Sequence, residues 1–141
     1  MIELLTILLR AAGIGLILLA VVHIPIGKQL KWREDAARLS PVNESIFHVH
    51  ALFICLVLVM MALPCIFEPS VFLEKSRAGL WLACSFSGFW AIRLYAQWFI
   101  YPAALWRGKR LETTLHWGFT GVWLSLSALF AACGVWQVIA K

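Results

Sequence analysis

The sequence predicts an all-α protein, a four-helix transmembrane bundle with both termini on the outer side, and two observations carry that prediction. The first is composition. Of 141 residues, 62% are hydrophobic and 13% charged, with a mean hydropathy of +0.87. A soluble domain is about half apolar and about a quarter charged, so this chain falls in the membrane class. The second is spacing. Four apolar segments, 4–26, 46–67, 79–105 and 113–139, each reach the roughly 20 helical residues that a bilayer core needs. Little remains between them for a soluble domain, and the short alternating stretches of a transmembrane barrel are absent. Residues 1–141 are therefore expected to form a single transmembrane domain.

The first segment has some look of a secretion signal. It opens with Glu3 instead of a basic cluster, lacks a small-residue cleavage site, and ends at His23-Ile24-Pro25. It is expected to be retained as the first span. The stretch 28–39 interleaves charges with Leu30, Trp32, Ala36 and Leu39, which suits a short helix at the interface with Trp32 toward the headgroups. Ser40-Pro41 then reads as N-cap and first helical position of the second span. Pro64, Glu68 and Pro69 mark the turn that follows it.

Charge placement sets the orientation. Lys28, Lys31, Arg33 and Arg38 lie in one connection, and Arg107, Lys109 and Arg110 in another. The opposite side holds Lys75, Arg77 and Lys141, with Arg10 just inside the first span. The seven residues of the two basic connections belong in the cytoplasm. The net charge of +5 is thus explained by topology, and no nucleic-acid partner is expected. Aromatic belts account for Trp32, Trp98, Tyr101, Trp106 and Trp117 at the inner boundary and for Trp81 and Trp136 at the outer one. Cys55, Cys65, Cys84 and Cys133 match no zinc spacing. Cys84 and Cys133 fall at similar depth, where a disulfide is open to them, but small buried packing residues are the plainer reading.

Small residues indicate which faces pack, because they let membrane helices approach closely. Gly13, Ala20, His23 and Gly27 recur at helical spacing in the first span. Ser45, His48, Ala51, Cys55 and Ala62 do so in the second. The fourth span carries two stripes, Thr113, His116, Thr120, Ser127 and Gly134, and Gly118, Gly121, Ser125, Ala128 and Ala132.

The pair His48-Val49-His50 does not chelate as a simple unit. Helix positions turn by about 100° each, so residues two apart point to nearly opposite faces. The small face mildly favours His48 as the inward one. Alternating the spans brings His23, His48, His50 and His116 to one layer on the cytoplasmic side, where the third span adds Arg93, Tyr95, Gln97 and Tyr101. Arg93 lies about 12 Å below Tyr101 along the helix. A charge at that depth snorkels, pairs or meets an anionic ligand, and of the acidic residues only Glu44 and Glu112 look reachable.

Three chemical readings compete for this layer. Two histidines from different helices, drawn from His23, His48 or His50, and His116, bind haem b, or the layer binds a quinone, with Arg93, Gln97 and Tyr101 completing the site. Alternatively His23, His48 and His116 bind a transition metal. The third reading is purely structural hydrogen bonding. No glycine-rich phosphate loop, nucleophile elbow or close carboxylate pair is present. The motifs Arg38-Leu39-Ser40-Pro41, Ile46-Phe47-His48-Val49-His50 and Trp90-Ala91-Ile92-Arg93 followed by Gln97 resemble those of small, uncharacterised bacterial four-span integral membrane proteins. The resemblance implies a multi-pass protein of the bacterial plasma (inner) membrane and brings no activity with it.

The expected function is that of a small membrane subunit or accessory protein of a larger assembly, holding a redox cofactor in the histidine layer. Its partners would be the lipid bilayer and another membrane protein or further copies of itself. A stand-alone membrane enzyme with a histidine-bound metal is the alternative. A small transporter or metal-handling protein ranks third, because no acidic relay crosses the membrane.

Overall fold

The computed structural model describes residues 1–29 and 31–139. Leu30 of the expected interfacial helix and Lys141 of the charge count lie outside the described residues. The described chain is helical, without a strand: α1 (Ile2–Gln29), α2 (Trp32–Ala36), α3 (Pro41–Phe67), α4 (Ser70–Leu73), α5 (Arg77–Tyr95) and α6 (Arg110–Ile139). A π-helical turn, Ala96–Ile100, prolongs α5, and a 3-10 turn, Ala103–Leu105, lies in the loop beyond it. Among the described residues, three helices are long and apolar enough to cross a membrane: Ile2–Lys28, Pro41–Phe67 and Arg110–Ile139. Their outer faces expose large apolar side chains such as Ile14, Leu18, Leu52, Phe53, Leu124 and Val135. Apolar exposure of this extent marks a membrane-facing surface.

The chain forms two compact units, Leu9–Pro69, and Met1–Leu8 together with the chain from Ser70 onward. In the first, the small residues meet as their spacing predicts. A Cβ on Gly13 would stand 2.6 Å from Ile66 Cγ1 and 3.0 Å from both Ala62 O and Cys65 Cβ, so α1 and α3 touch where glycine allows it. Ala62 and Cys65 are fully buried, and Cys55 Sγ approaches Ala20 O at 3.8 Å. Pro41 opens α3 as expected, after an extended Ser40 whose side chain makes no capping bond. The interfacial helix is only the five residues of α2. Trp32 is half-buried: it lies over Gly27 and meets His23 and Phe47 edge-on, at 6.4 and 6.1 Å between centroids.

In the second unit, α5 and α6 form an antiparallel pair in one register from end to end. At the α5 start, Ser76 caps the helix by accepting from Gly79 N, and its own N–H donates to Gln137 Oε1 at 3.3 Å. Gln137 Nε2 donates to Phe72 O at 3.0 Å and to Val71 O at 3.3 Å, so one buried amide ties α4 and the connection 74–76 to α6. Gly79 is required there, since a Cβ would lie 2.2 Å from Val71 O. Phe72, Phe86 and Phe130 pack mutually at 5.1–5.6 Å. Ser87 Oγ donates to Ser127 O at 3.0 Å, and Trp90 stacks on Trp123 at 5.0 Å. The third apolar segment stops being helical at Tyr101, earlier than its hydropathy suggests. Tyr101 precedes Pro102 and takes the extended geometry (φ −78°, ψ 120°) that the proline ring imposes on its neighbour.

Candidate functional site

The end of the α5–α6 pair where α5 finishes and α6 begins gathers four of the expected site residues. Trp90, Arg93 and Gln97 share one face of α5 and its π-helical extension. His116, Thr120 and Trp123 share the opposing face of α6. The π turn holds Gln97 at this interface, and such turns are common where a helix carries function. Gln97, His116, Thr120 and Trp123 are buried, and Arg93 is half-buried.

The hydrogen bonds are directional. Arg93 Nη1 lies 3.4 Å from Gln97 Oε1. Guanidinium has only donors, so the Gln97 oxygen faces Arg93 and the amide nitrogen faces α6. That nitrogen lies 3.0 Å from His116 Nδ1 and 3.5 Å from His116 O. His116 Nδ1 is therefore the acceptor, and in the neutral ring the proton sits on Nε2. Thr120 Oγ1 donates to His116 O at 2.8 Å. Trp106 stacks on the His116 ring at 4.2 Å and 13°, and Trp117 meets it edge-on at 5.5 Å.

Arg93 forms no ion pair among the described residues. Its guanidinium sits over aromatic faces instead, 5.0 Å from the Trp123 ring and 5.5 Å from that of Tyr101. It makes no ion pair with Glu112. Below it, Phe119, Trp123 and Trp90 are nearly parallel, at 5.5 and 5.0 Å. The indole nitrogens of Trp90 and Trp123 are buried without a hydrogen-bond acceptor among the described residues. Leaving a buried donor unpaired costs about 1–3 kcal/mol.

His23, His48 and His50 belong to the other unit. His23 Nδ1 is 2.7 Å from Leu19 O, and His50 Nδ1 is 2.8 Å from Ile46 O. A carbonyl only accepts, so both rings carry the proton on Nδ1 and present the Nε2 lone pair. His50 is exposed. His48, favoured as the inward residue, is exposed as well, with its ring beside Phe47 at 5.6 Å. Among the described residues no group of three or more His, Cys, Asp and Glu side chains is arranged to hold a metal ion. Cys55, Cys84 and Cys133 are free thiols. Of the two stripes on α6, the one with His116, Thr120, Ser127 and Gly134 faces α5, while Gly118, Gly121, Ser125, Ala128 and Ala132 are exposed.

Sequence reasoning passed over Trp90, Trp106 and Trp123 as site residues. Trp106, expected in the aromatic belt, also stacks on His116. The signal for the other two was helical spacing: Trp90 lies three before Arg93, and Trp123 lies seven after His116, each on the face that carries the polar group. Compared with protein-family models, curated proteins and solved structures, the chain gives no significant match.

Proposed function

We propose that this chain is a small four-span protein of the bacterial plasma membrane, both termini outside, acting as a subunit or accessory of a larger membrane assembly. It holds a membrane-soluble redox ligand at the inner end of the α5–α6 pair. The observation that supports this reading is Arg93, a cation within a membrane helix, met by aromatic faces and one amide and by no carboxylate among the described residues. Ionisable groups inside spans are costly and usually mark a site. The α5 helix with its π extension is the least apolar of the four proposed spans because it carries this arginine and Gln97. The positive connections 27–45 and 106–112 favour the cytoplasmic leaflet for that end. The same alternation sets His23, His48 and His50 at the inner ends of their own spans.

Purification in a gentle detergent tests both halves of the proposal. A stable complex with another membrane protein is expected, and the solvent extract of the wild type should contain a redox ligand that the extract of Arg93→Met lacks. A lone monodisperse monomer with no extractable redox ligand would overturn it.

A second reading, a stand-alone enzyme with a histidine-bound metal, draws on His23 and His50. Their Nδ1–H groups are held by backbone carbonyls, the arrangement that prepares Nε2 for ligation. Elemental analysis decides it: stoichiometric metal lost in His23→Ala supports this reading, and metal-free wild-type protein removes it.

A further inference from the structure

We infer that the α5–α6 pair receives the carbonyl oxygen of a quinone, with His116 as a neutral Nε2–H donor and the Arg93 guanidinium as a second donor. The inference rests on the reading that this pair holds a redox ligand, and it specifies which class.

The argument is a donor–acceptor imbalance. Arg93 brings five N–H groups and has one protein acceptor, the Gln97 oxygen at 3.4 Å. His116 has committed its Nδ1 lone pair to the Gln97 amide, which leaves an Nε2–H with no acceptor among the described residues. The buried indoles of Trp90 and Trp123 add two more unpaired N–H groups within the same ring stack. The side-chain oxygen of Thr120 is already directed at His116 O. A region so rich in donors calls for a ligand rich in acceptors.

The same imbalance sorts the candidates. Haem ligation through Nε2 needs the lone pair there and the proton on Nδ1, as in His23 and His50, and His116 has the opposite arrangement. A lipid phosphate is best met by several cations; among the described residues Arg93 is the one cation on the facing sides of α5 and α6 at this level, and Arg107 lies beyond them, over the Trp106 ring at 5.7 Å. A flat ring bearing carbonyl oxygens suits one cation and one neutral donor beside an aromatic wall, here Phe119, Trp123 and Trp90, which stack on one another. Gln97 is then a positioning residue: its amide orientation, set by Arg93, decides which nitrogen of His116 holds the proton.

The test uses the full chain in lipid nanodiscs with nitrogen-15 histidine, His116 being assigned by comparison with His116→Phe. In the wild type the ring should be protonated at Nε2 alone, and that N–H resonance should shift when decylubiquinone is added. In Gln97→Glu the carboxylate accepts from His116 and pairs with Arg93, so the proton should move to Nδ1 and the response to decylubiquinone should vanish. Wild-type protein suffices if that variant does not fold. A proton on Nδ1, or on both nitrogens, overturns the donor assignment whatever else the protein binds. An Nε2–H that ignores decylubiquinone but shifts when phosphatidylglycerol enters the nanodisc makes the ligand a lipid phosphate and overturns the quinone. Decylubiquinone binding that leaves His116 unmoved overturns this inference while the redox-ligand reading stands, and no binding of any redox ligand defeats both.

Discussion

The side-chain amide of Gln97 stands 3.0 Å from Nδ1 of His116, across the interface between α5's extension and α6. Both residues are buried, and Arg93 fixes which end of the amide faces the ring. One hydrogen bond therefore links the charge of one helix to the protonation pattern of the other.

Cutting that link should be measurable as stability. Gln97→Leu leaves the His116 Nδ1 lone pair and the Arg93 guanidinium without their partner. A loss of about 1–3 kcal/mol is expected for the unpaired buried group. Unfolding in detergent, followed by tryptophan fluorescence, checks this. A variant as stable as the wild type would mean that Gln97 and His116 do not share a hydrogen bond.

At the opposite end of the same pair, Gly79→Ala should be costly and Gly88→Ala should not. A Cβ at position 79 would meet Val71 O at 2.2 Å and Gln137 Nε2 at 2.6 Å, whereas one at position 88 meets nothing within 4 Å. Overpacking of this kind costs about 1–3 kcal/mol, while alanine for glycine in an open helix position is neutral to favourable. Thermal unfolding of the two variants side by side gives the answer. Equal behaviour would contradict the close approach of the α4 segment to α5.

Much of this was legible in the residues. Hydropathy and length marked α1, α3 and α6, because a bilayer solvent demands long apolar runs. Gly13, Ala20, Cys55 and Ala62 pointed to the α1–α3 contact, since close packing of membrane helices selects small side chains. That Arg93, Gln97 and His116 share one level followed from helix alternation and depth, and the three are joined by hydrogen bonds. What stayed hidden depends on rotamers and local backbone. Trp106 stacks on His116 only because the loop after Pro102 turns back, through a left-handed Gly108 (φ 79°). The tautomers of His23, His50 and His116 follow from which atom each ring meets, and spacing does not encode that. Gln137, the clamp on Val71, Phe72 and Ser76, drew no notice because a lone glutamine near a helix end has no periodic signature.

Orientation is open to a direct chemical test. In a background with the four native cysteines replaced, a single cysteine at Lys109 should react with an impermeant maleimide from the cytoplasmic side only. One at Lys75 should react from the outside only. The reverse pattern would invert the topology, and labelling of both from one side would contradict the single span proposed between residues 75 and 109.

The most direct measurement for the whole account is equilibrium binding of decylubiquinone to the full chain in nanodiscs, followed by quenching of the tryptophans around Arg93. One saturable site is expected, insensitive to phosphatidylglycerol. Losing the charged donor in Arg93→Met should remove about 1.5–3 kcal/mol, a weakening of roughly tenfold to a hundredfold. His116→Phe should weaken binding in the same direction while keeping an aromatic ring beside Trp106. Binding that is non-saturable, or that is equal in wild type, Arg93→Met and His116→Phe, would contradict the claim that these two residues hold the ligand.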